Sequence, residues 1–312
     1  MNPLTRTPGT WRLRARALEL GRRTLVMGVV NITPDSFSDG GFFIGPEDAV
    51  AHGLQLLDEG ADLLDLGAES TRPGSRAGGA AGTATAPAVS ADEEQARLLP
   101  VLTGILAARP EAIVSVDTYK AATARTALEA GAEIINDVSG FSWDFGLAPV
   151  CAEVGCGVVL MHTRGRPEEW RGQAQLEPDE LLADVRAGLS ASLSSAAAAE
   201  IDAEHIVLDP GYGFGKRFDE NYALLARQAE LLTLGRPLLA GLSRKSFLGR
   251  TLAPLHSGQD APVEARETAS VAALVAAILH GASIVRVHNV RAAVEAARIA
   301  DAVLAAEQPE VR

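Results

Sequence analysis

Two carboxyl groups and one amide stand at or near the ends of short apolar runs, where they could recognise a polar ligand. These residues are Asp117, Asp209 and Asn136. A partly buried carboxylate is costly unless it is paired, and a ligand with two adjacent N–H donors can pair with it in a bidentate way. Taken singly, Asp117 or Asp209 could instead cap a following helix. With the donor and acceptor of Asn136 and with Lys245, however, they predict a site for a flat heterocycle such as a pterin or a purine.

Basic side chains form a second group that predicts an anion site. Arg244 and Lys245 follow the seventh apolar run, Arg286 and His288 close the eighth, and Arg72 follows the second. The chain has only three lysines, and valines flank Arg286. Solvated surface charge therefore explains Lys245 and Arg286 less well than it explains Arg244.

Several other kinds of catalytic site are not supported by the sequence. There is no G-x-S-x-G motif and no indication of a Cys-His pair, which argues against covalent catalysis. The six histidines are scattered without an H-E-x-x-H pattern, which argues against zinc. Asn31 is a single neutral oxygen ligand, compatible with Mg²⁺ held mainly by the phosphates of a substrate. Cys151 and Cys156 are predicted to be small buried residues.

The polar residues described above follow eight short apolar runs, and each run is followed by a helical pattern. Continuous apolar runs are typical of parallel strands that are buried on both faces. The predicted strands are 24–30, 63–66, 113–117, 133–136, 157–161, 205–209, 238–241 and 284–287. Eight such alternations over about 285 residues favour one (β/α)₈ TIM barrel over two doubly wound domains. The polar residues that follow the runs are then expected at one mouth of the barrel, formed by the carboxyl ends of the strands.

Helix signals lie between the predicted strands. Ser90 begins a capping box for a helix over 92–108. Asp219 is expected to cap a helix over 220–234. The last helix is predicted over 292–305.

The domain organisation is predicted to be simple. Residues 1–23 are predicted to form an extension that packs on the barrel, 24–306 to form the barrel with its heterocycle site, and 307–312 to form a tail. The Gly- and Ala-rich stretch 74–89 is predicted to be a long loop, which is typical of a functional or disordered segment.

Composition excludes several classes of protein. The 312 residues are 47% hydrophobic and 22% charged, which excludes a fully disordered chain. The aromatic fraction of 4% and the net charge of −12 argue against a nucleic-acid partner, and the charge also argues against an anionic membrane. With no signal peptide and no apolar stretch of spanning length, a cytoplasmic location is expected.

Eight sequence blocks in the order of the family closely resemble the dihydropteroate synthases of folate biosynthesis. The blocks are MGVVNITPDSFSDGG (27–41), DLGAESTRPG (65–74), SVDTYK (115–120), IINDVSG (134–140), LMHTRG (160–165), LDPGYGFGK (208–216), GLSRKSFLG (241–249) and VRVHNV (285–290). The resemblance implies a transferase with a TIM barrel. It would condense 6-hydroxymethyl-7,8-dihydropterin pyrophosphate with p-aminobenzoate to give 7,8-dihydropteroate and pyrophosphate.

The resemblance also implies roles for individual residues. Those expected to hold the pterin are Asp117, Asn136, Met161, Asp209, Phe214 and Lys245. Those expected to hold the pyrophosphate or to order over it are Asn31, Thr71, Arg72, Arg286 and His288, with Mg²⁺ as cofactor and Asn31 as its ligand. Those expected to shape the p-aminobenzoate pocket are Phe37, Pro73, Lys245 and Ser246. The catalytic group would be Asp35, Lys245, Arg286 and His288. A homodimer is expected, and the apolar segment 263–279 could be its interface or a buried barrel helix.

The sequence departs from the family pattern at a few points, and rival functions remain. Ala68 replaces a usual glycine, Thr163 replaces a common methionine, and the second loop looks longer by roughly ten residues, an insertion that costs little stability. A pterin-binding methyltransferase is one rival, but it would not need the 243–246 and 33–37 segments. A non-catalytic paralogue and an unrelated phosphate-binding barrel lyase are two others; the lyase does not explain the heterocycle group.

Overall fold

A closed barrel of parallel strands is the centre of the molecule. The computed structural model describes residues 8–32, 45–69 and 89–306. Within these ranges the strands are β1 (Gly9–Arg12), β2 (Ala17–Leu20), β3 (Leu25–Asn31), β4 (Leu63–Gly67), β5 (Val114–Asp117), β6 (Ile134–Asp137), β7 (Gly157–Met161), β8 (Ile206–Asp209), β9 (Leu238–Ala240) and β10 (Ala282–Val287). The barrel runs β10-β3-β4-β5-β6-β7-β8-β9, and each neighbouring pair is parallel. The predicted TIM barrel is confirmed, and all eight predicted strands are present with ends that shift by one or two residues.

Helices cover the outside of the barrel. They are α1 (Pro46–Asp58), α2 (Ala91–Ala108), α3 (Ala121–Glu129), α4 (Leu147–Val154), α5 (Pro178–Ala198), α6 (Phe218–Ala226), α7 (Ser246–Thr251), α8 (Glu267–Leu279) and α9 (Val290–Ala306). Leu, Ile, Val and Ala side chains from these helices and from the strands form one continuous core. No helix in the described ranges is both long and apolar enough to cross a membrane.

The predicted helix ends are partly right. Ser90 caps α2, because its hydroxyl accepts the Glu93 N–H at 3.2 Å, and the helix starts one residue earlier than predicted. The other half of the predicted capping box is not formed, since the Glu93 carboxylate bonds Arg97 instead. The predicted helix over 220–234 is wrong in its limits, since α6 ends at Ala226 and a 3₁₀ segment, Gln228–Leu234, follows.

The start of α6 has a local physical cause, whereas its end depends on contacts that are distant in sequence. The Arg217 N–H donates to the Glu220 carboxylate, which makes Arg217 rather than Asp219 the capping position. The buried Gln228 side chain donates to the carbonyls of Ala277 and His280, each at 3.1 Å. These two bonds fix the chain where the regular helix gives way.

The last two helices also differ slightly from their predictions. The segment predicted as one helix over 263–279 begins as a 3₁₀ turn, Val263–Arg266, before α8. The last helix starts two residues earlier than predicted, at Val290, and the Asn289 side chain accepts the Ala292 N–H at 3.2 Å near its start. Cys151 and Cys156 are free thiols and both are buried, as predicted.

A hairpin of β1 and β2 closes the amino end of the barrel. Trp11, Leu13 and Leu20 are buried against residues that start the barrel strands, among them Leu25 and Leu63. The Trp11 indole N–H donates to the His205 carbonyl at 2.9 Å. Apolar side chains therefore fill this end, and the carboxyl ends of the strands form the opposite mouth. The proposed limits of the extension and tail stay predictions, since residues 1–7 and 307–312 lie outside the described residues.

Candidate active site

The carboxyl ends of the strands bring the predicted residues of both groups to one mouth. Asp117 ends β5 and is in register with Asn136 of β6, while Met161 ends β7 opposite Asp209 of β8. The other predicted residues at this mouth are Asn31 at the end of β3, Arg286 near the end of β10, and His288 just after it. The predicted convergence of polar residues at the strand ends is therefore confirmed for the described residues.

Arg286 lies between two carboxylates. Its Nε is 2.6 Å from Asp65 Oδ2, and its Nη2 is 3.0 Å from Asp117 Oδ2. Burial lowers the pKa of the guanidinium, but the two carboxylates outweigh this effect and the pKa is raised. A guanidinium has five N–H donors, so these two bonds leave donors for a further anion. The predicted pyrophosphate contact of Arg286 remains a prediction.

Asp65 is the residue that sequence reasoning missed. Its side chain is fully buried in β4, and its carboxylate accepts bonds from the Ser115 hydroxyl at 2.7 Å and the Asn136 Nδ2 at 3.0 Å, besides the Arg286 bond. One carboxylate thus joins β4, β5, β6 and β10. The sequence does contain an indication of this role: like Arg286, Asp65 is a charged residue within an otherwise apolar predicted strand.

Asp117 titrates near neutrality. Burial raises the pKa of Asp117 to about 7; the Arg286 cation lowers it, and the Asp65 carboxylate raises it further. Asp65 and Asp117 thus compete for the single guanidinium of Arg286, which bonds both carboxylates. A ligand that donates N–H bonds to Asp117 would favour the ionised form of this carboxyl group.

Asp209 and Lys245 form the opposite side of the mouth. Asp209 Oδ1 accepts the Gly211 N–H at 2.7 Å. Burial raises the pKa of Asp209, while that hydrogen bond and the Lys245 and Lys216 cations oppose the rise. Burial also lowers the pKa of Lys245 to about 8, against the pull of Asp209. The Lys245 ammonium lies 4.1 Å from the centre of the Phe214 ring, a cation–π contact.

An apolar cluster adjoins these charged groups. Tyr119, Val138 and Met161 are buried together, and Trp143 and Phe214 pack against them. Tyr119 and Trp143 meet edge to face with ring centres 5.2 Å apart. Polar groups next to a rigid apolar cluster are the usual composition of a small-molecule site.

The predicted anion residues near β10 have local partners. His288 Nδ1 lies 3.0 Å from the Ser243 hydroxyl, which also accepts the His288 backbone N–H at 3.3 Å. Ser246, which was predicted for the p-aminobenzoate pocket, is exposed as the first residue of α7, after β9. Arg244 is exposed with a positive φ of 60°, and its backbone N–H donates to the Ser270 hydroxyl at 2.9 Å. The side chains of His288 and Ser243 therefore orient each other at the mouth.

Some predicted site residues cannot be placed. The predictions for Asp35, Phe37, Thr71, Arg72 and Pro73 fall outside the described residues, as does most of the predicted loop over 74–89.

A buried ion cluster stands next to the 70–88 segment, and sequence reasoning did not single it out. Lys120 pairs with Glu69 and with Glu94, the latter at 3.0 Å. Glu69 Oε1 also accepts the Val89 N–H at 3.3 Å. Residues on both sides of the 70–88 segment are thus joined to each other and to the residues after β5.

The geometry at Gly211 gives a first prediction. Its φ is +71°, and a Cβ atom there would lie 1.9 Å from the His162 carbonyl oxygen. Because backbone must move to relieve such a contact, Gly211→Ala should lower the free energy of unfolding by more than about 3 kcal/mol. Urea denaturation followed by circular dichroism measures this change.

Gly155 offers a matched control for Gly211. Its φ is +69°, but a Cβ atom there would meet nothing within 4 Å. Gly155→Ala should therefore cost only the left-handed backbone penalty, about 1–2 kcal/mol. Equal losses in the two variants would contradict the close contact between Gly211 and the end of β7.

The chain is similar in sequence and structure to known proteins over most of its length. A sequence profile described as "Pterin binding enzyme" matches residues 27–288. The dihydropteroate synthase of Mycobacterium leprae is 45% identical over 277 residues, which cover 89% of this chain and 92% of that protein. The Xanthomonas albilineans dihydropteroate synthase, solved with 4-aminobenzoic acid, has a TM-score of 0.81 and 40% identity over 97% of this chain and all of that one. The Burkholderia cenocepacia dihydropteroate synthase, solved with 7,8-dihydropteroate, has a TM-score of 0.78 and 39% identity over 96% and 98% of the two chains.

Proposed function

The chain belongs to the dihydropteroate synthase family of pterin-binding enzymes, and from this premise we propose how the mouth of its barrel divides the reaction among its residues. The activity is the condensation of 6-hydroxymethyl-7,8-dihydropterin pyrophosphate with p-aminobenzoate, which gives 7,8-dihydropteroate and pyrophosphate. The ligands named for the two solved relatives are a substrate and the product of this reaction. The rival methyltransferase and lyase functions receive no support from these relatives.

The pterin is proposed to lie between the carboxylates at the mouth. The observation that carries this proposal is the convergence of Asp117, Asn136 and Asp209 beside one apolar cluster. Carboxylates pair well with the adjacent N–H donors of a 2-amino-pyrimidinone ring. The Asn136 Nδ2 is engaged by Asp65, so its Oδ1 is the end left to accept a bond from the ligand. Met161 and Phe214 are proposed to contact the faces of the ring.

Departure of pyrophosphate is proposed to be the electrostatic step. The bond between the pterin methylene carbon and the pyrophosphate oxygen breaks, and its electron pair leaves with the oxygen. Arg286 and His288 are proposed to stabilise that charge, a task for fixed cations and donors in a site shielded from water. The amine of p-aminobenzoate then attacks the methylene carbon, and the proton that its nitrogen loses passes to solvent water. Because the substrate amine is the nucleophile, the chain needs none of its own.

Mg²⁺ is proposed as the cofactor, with Asn31 as its protein ligand. No group of three His, Cys, Asp or Glu side chains in the described ranges could hold a metal ion, and Asp65 and Asp117 are engaged by Arg286. This donor set fits an ion that is bound mainly by substrate phosphates, a common arrangement for Mg²⁺. When bound, the ion would neutralise part of the charge on the leaving pyrophosphate. Asn31 at the end of β3 would orient it.

Calorimetric binding of the dihydropterin pyrophosphate, with and without Mg²⁺, tests these roles. In the parent protein Mg²⁺ should tighten binding by about tenfold or more, and Asn31→Ala should remove most of that gain, about 1.4 kcal/mol. Binding of 6-hydroxymethyl-7,8-dihydropterin, which has no phosphates, should be equal in the two proteins. A Mg²⁺ effect that is the same in Asn31→Ala would contradict the role of Asn31.

A cytoplasmic homodimer is proposed as the working state. The compartment is the one expected for an enzyme of folate synthesis. The segment 263–279 packs one face of α8 into the core, as the buried-helix alternative expects. Ile299 and Val303, exposed apolar side chains one turn apart on the neighbouring α9, are therefore proposed as part of the dimer contact. Sedimentation equilibrium should give twice the 32.5 kDa mass of the chain. A monomer at micromolar concentration would contradict this proposal.

A further inference from the structure

Lys216 is a buried cation that the proposed mechanism does not use. It stands between the 210–215 loop, which follows β8, and α6, and it is only 7% exposed. Lysine is rarely buried to this degree unless it is paired. In the part of the chain that the structure describes, however, no carboxylate forms an ion pair with it. Its partners are backbone carbonyls instead.

Three carbonyl oxygens surround the ammonium group. Lys216 Nζ lies 2.8 Å from the Gly211 oxygen, 3.3 Å from the His162 oxygen and 3.4 Å from the Phe214 oxygen. A charged ammonium has three N–H donors and no acceptor, so these oxygens match its donors in number. Gly211 and Phe214 belong to the 210–215 loop, whereas His162 follows β7. The side chain therefore ties the loop both to itself and to the neighbouring strand.

The 210–215 loop needs hydrogen bonds of this kind because its glycines give the unfolded backbone unusual conformational freedom. Gly211, Gly213 and Gly215 have φ values of +71°, +84° and +72°, a conformation that glycine adopts at little steric cost. Glycine also loses more conformational entropy on folding than any other residue. Specific hydrogen bonds must offset that loss. Besides the Lys216 bonds, Asn221 Oδ1 accepts the Gly213 N–H at 2.7 Å.

The 210–215 loop contains one residue of the proposed pterin site and directly follows another. Asp209 precedes it, and Phe214 lies within it. Phe214 meets Trp170 edge to face with ring centres 5.2 Å apart and has Lys245 4.1 Å from its ring centre. A shift of the loop would therefore move the aromatic wall and the contact with Lys245 together.

We propose that Lys216 is a positioning residue for the pterin, whose ammonium group fixes the 210–215 loop so that Asp209 and Phe214 keep the geometry that accepts the ring. The proposal rests on the proposed function of the same mouth. Lys216 acts through the loop backbone rather than on the reacting atoms. Its loss should therefore weaken pterin binding more than it slows the chemical step.

The charge on Lys216 makes this role dependent on pH. Burial lowers the pKa of Lys216 to about 7; Asp209 of β8 and Asp184 of α5 oppose that shift, and Lys245 before α7 and Arg164 after β7 add to it. A deprotonated amine has one N–H donor fewer, so one of the three carbonyls loses its hydrogen bond from Lys216. The loop tie is complete below this pKa and weakens as the pH rises through it.

Steady-state kinetics of Lys216→Met test the proposal. The methionine is unbranched and only one atom shorter, but it removes all three hydrogen bonds of the ammonium group, including the one to the His162 carbonyl that ties the loop to the residue after β7. The KM for the dihydropterin pyrophosphate should therefore rise about tenfold or more. The KM for p-aminobenzoate and kcat should change less than about threefold, since the reacting groups are still present. From about pH 6 to about pH 8 the pterin KM should rise more steeply in the parent protein than in the variant, because Asp117 and Lys245 titrate in both proteins and only the parent also loses the charge of Lys216.

Two further variants serve as controls for the kinetics of Lys216→Met. Trp11→Phe loses a buried hydrogen bond at the opposite end of the barrel and should leave both KM values unchanged, which separates loop placement from general loss of stability. Lys216→Gln retains two N–H donors and should give an intermediate pterin KM; it also serves if the methionine variant does not fold. A folded variant with the parent KM and pH profile would overturn the proposal. Failure of the parent protein to bind the pterin would instead refute the proposed function.

Discussion

Replacing Arg286 with methionine should lower kcat/KM for pyrophosphate release by about 10³-fold, because the variant loses the fixed cation proposed to stabilise the departing charge. The same change leaves the carboxylates of Asp65 and Asp117 without the guanidinium that lies 2.6 and 3.0 Å from them. The free energy of unfolding should therefore fall by about 3–5 kcal/mol, as expected when one partner of a buried ion pair is removed. Coupled pyrophosphate detection and urea denaturation measure the two effects.

A double variant separates these two effects of Arg286. Combining Arg286→Met with Asp117→Asn removes a carboxylate that the cation had compensated, so part of the lost stability should return. Activity should stay low, because the cation is still absent. If the stabilised double variant also regained activity, or if Arg286→Met alone stayed within about tenfold of the parent protein, the electrostatic role of Arg286 would be wrong.

The second large effect is expected at Asp65, a residue that is proposed to touch no substrate. Asp65→Asn keeps the shape of the side chain but removes one of the charged oxygens that accept from Ser115, Asn136 and Arg286. Loss of a bond to a buried charge costs about 1.5–3 kcal/mol, so kcat/KM should fall by about 10²-fold as Asn136 and Arg286 lose their fixed orientations. Steady-state kinetics with both substrates measure this loss.

Ser115→Ala is the matched control for Asp65→Asn. It removes only the hydroxyl that donates to Asp65 Oδ1 at 2.7 Å and leaves the bonds to Asn136 and Arg286 in place. Its cost should be about 1 kcal/mol of stability, with little change in kcat/KM. Similar activity losses in the two variants would show that Asp65 acts through general stability and not through the orientation of the two site residues.

The barrel could be predicted because its strands are short, apolar and bounded by polar residues. The runs that form β7 and β8 are almost continuously apolar, and the structure buries every residue in them. A strand has such a continuous apolar pattern when its sheet is covered on both faces. Once eight such runs alternate with helices, topology alone carries Asp117, Asn136 and Asp209 to a common mouth. That part of the site followed from strand ends, without knowledge of any side-chain contact.

The links between side chains could not be predicted in the same way. Asp65 and Arg286 are 221 positions apart, and only closure of the barrel brings β4 and β10 near each other. The end of α6 depended on Gln228 bonds to carbonyls about 50 positions away, which no local helix signal contains. Likewise, Lys216 reads as an ordinary loop lysine until the His162 carbonyl is seen beside it. Sequence patterns predict the helices and strands, whereas these long-range hydrogen bonds depend on how the helices and strands pack in the closed barrel.

The most direct test of the whole account is product formation by purified protein with Mg²⁺, dihydropterin pyrophosphate and p-aminobenzoate. Pyrophosphate and 7,8-dihydropteroate should appear in equal amounts, only when p-aminobenzoate is present, and Lys245→Ala should abolish both while the variant stays folded. Pyrophosphate released without p-aminobenzoate and without dihydropteroate, or full activity in folded Lys245→Ala, would contradict a synthase site at the mouth of this barrel.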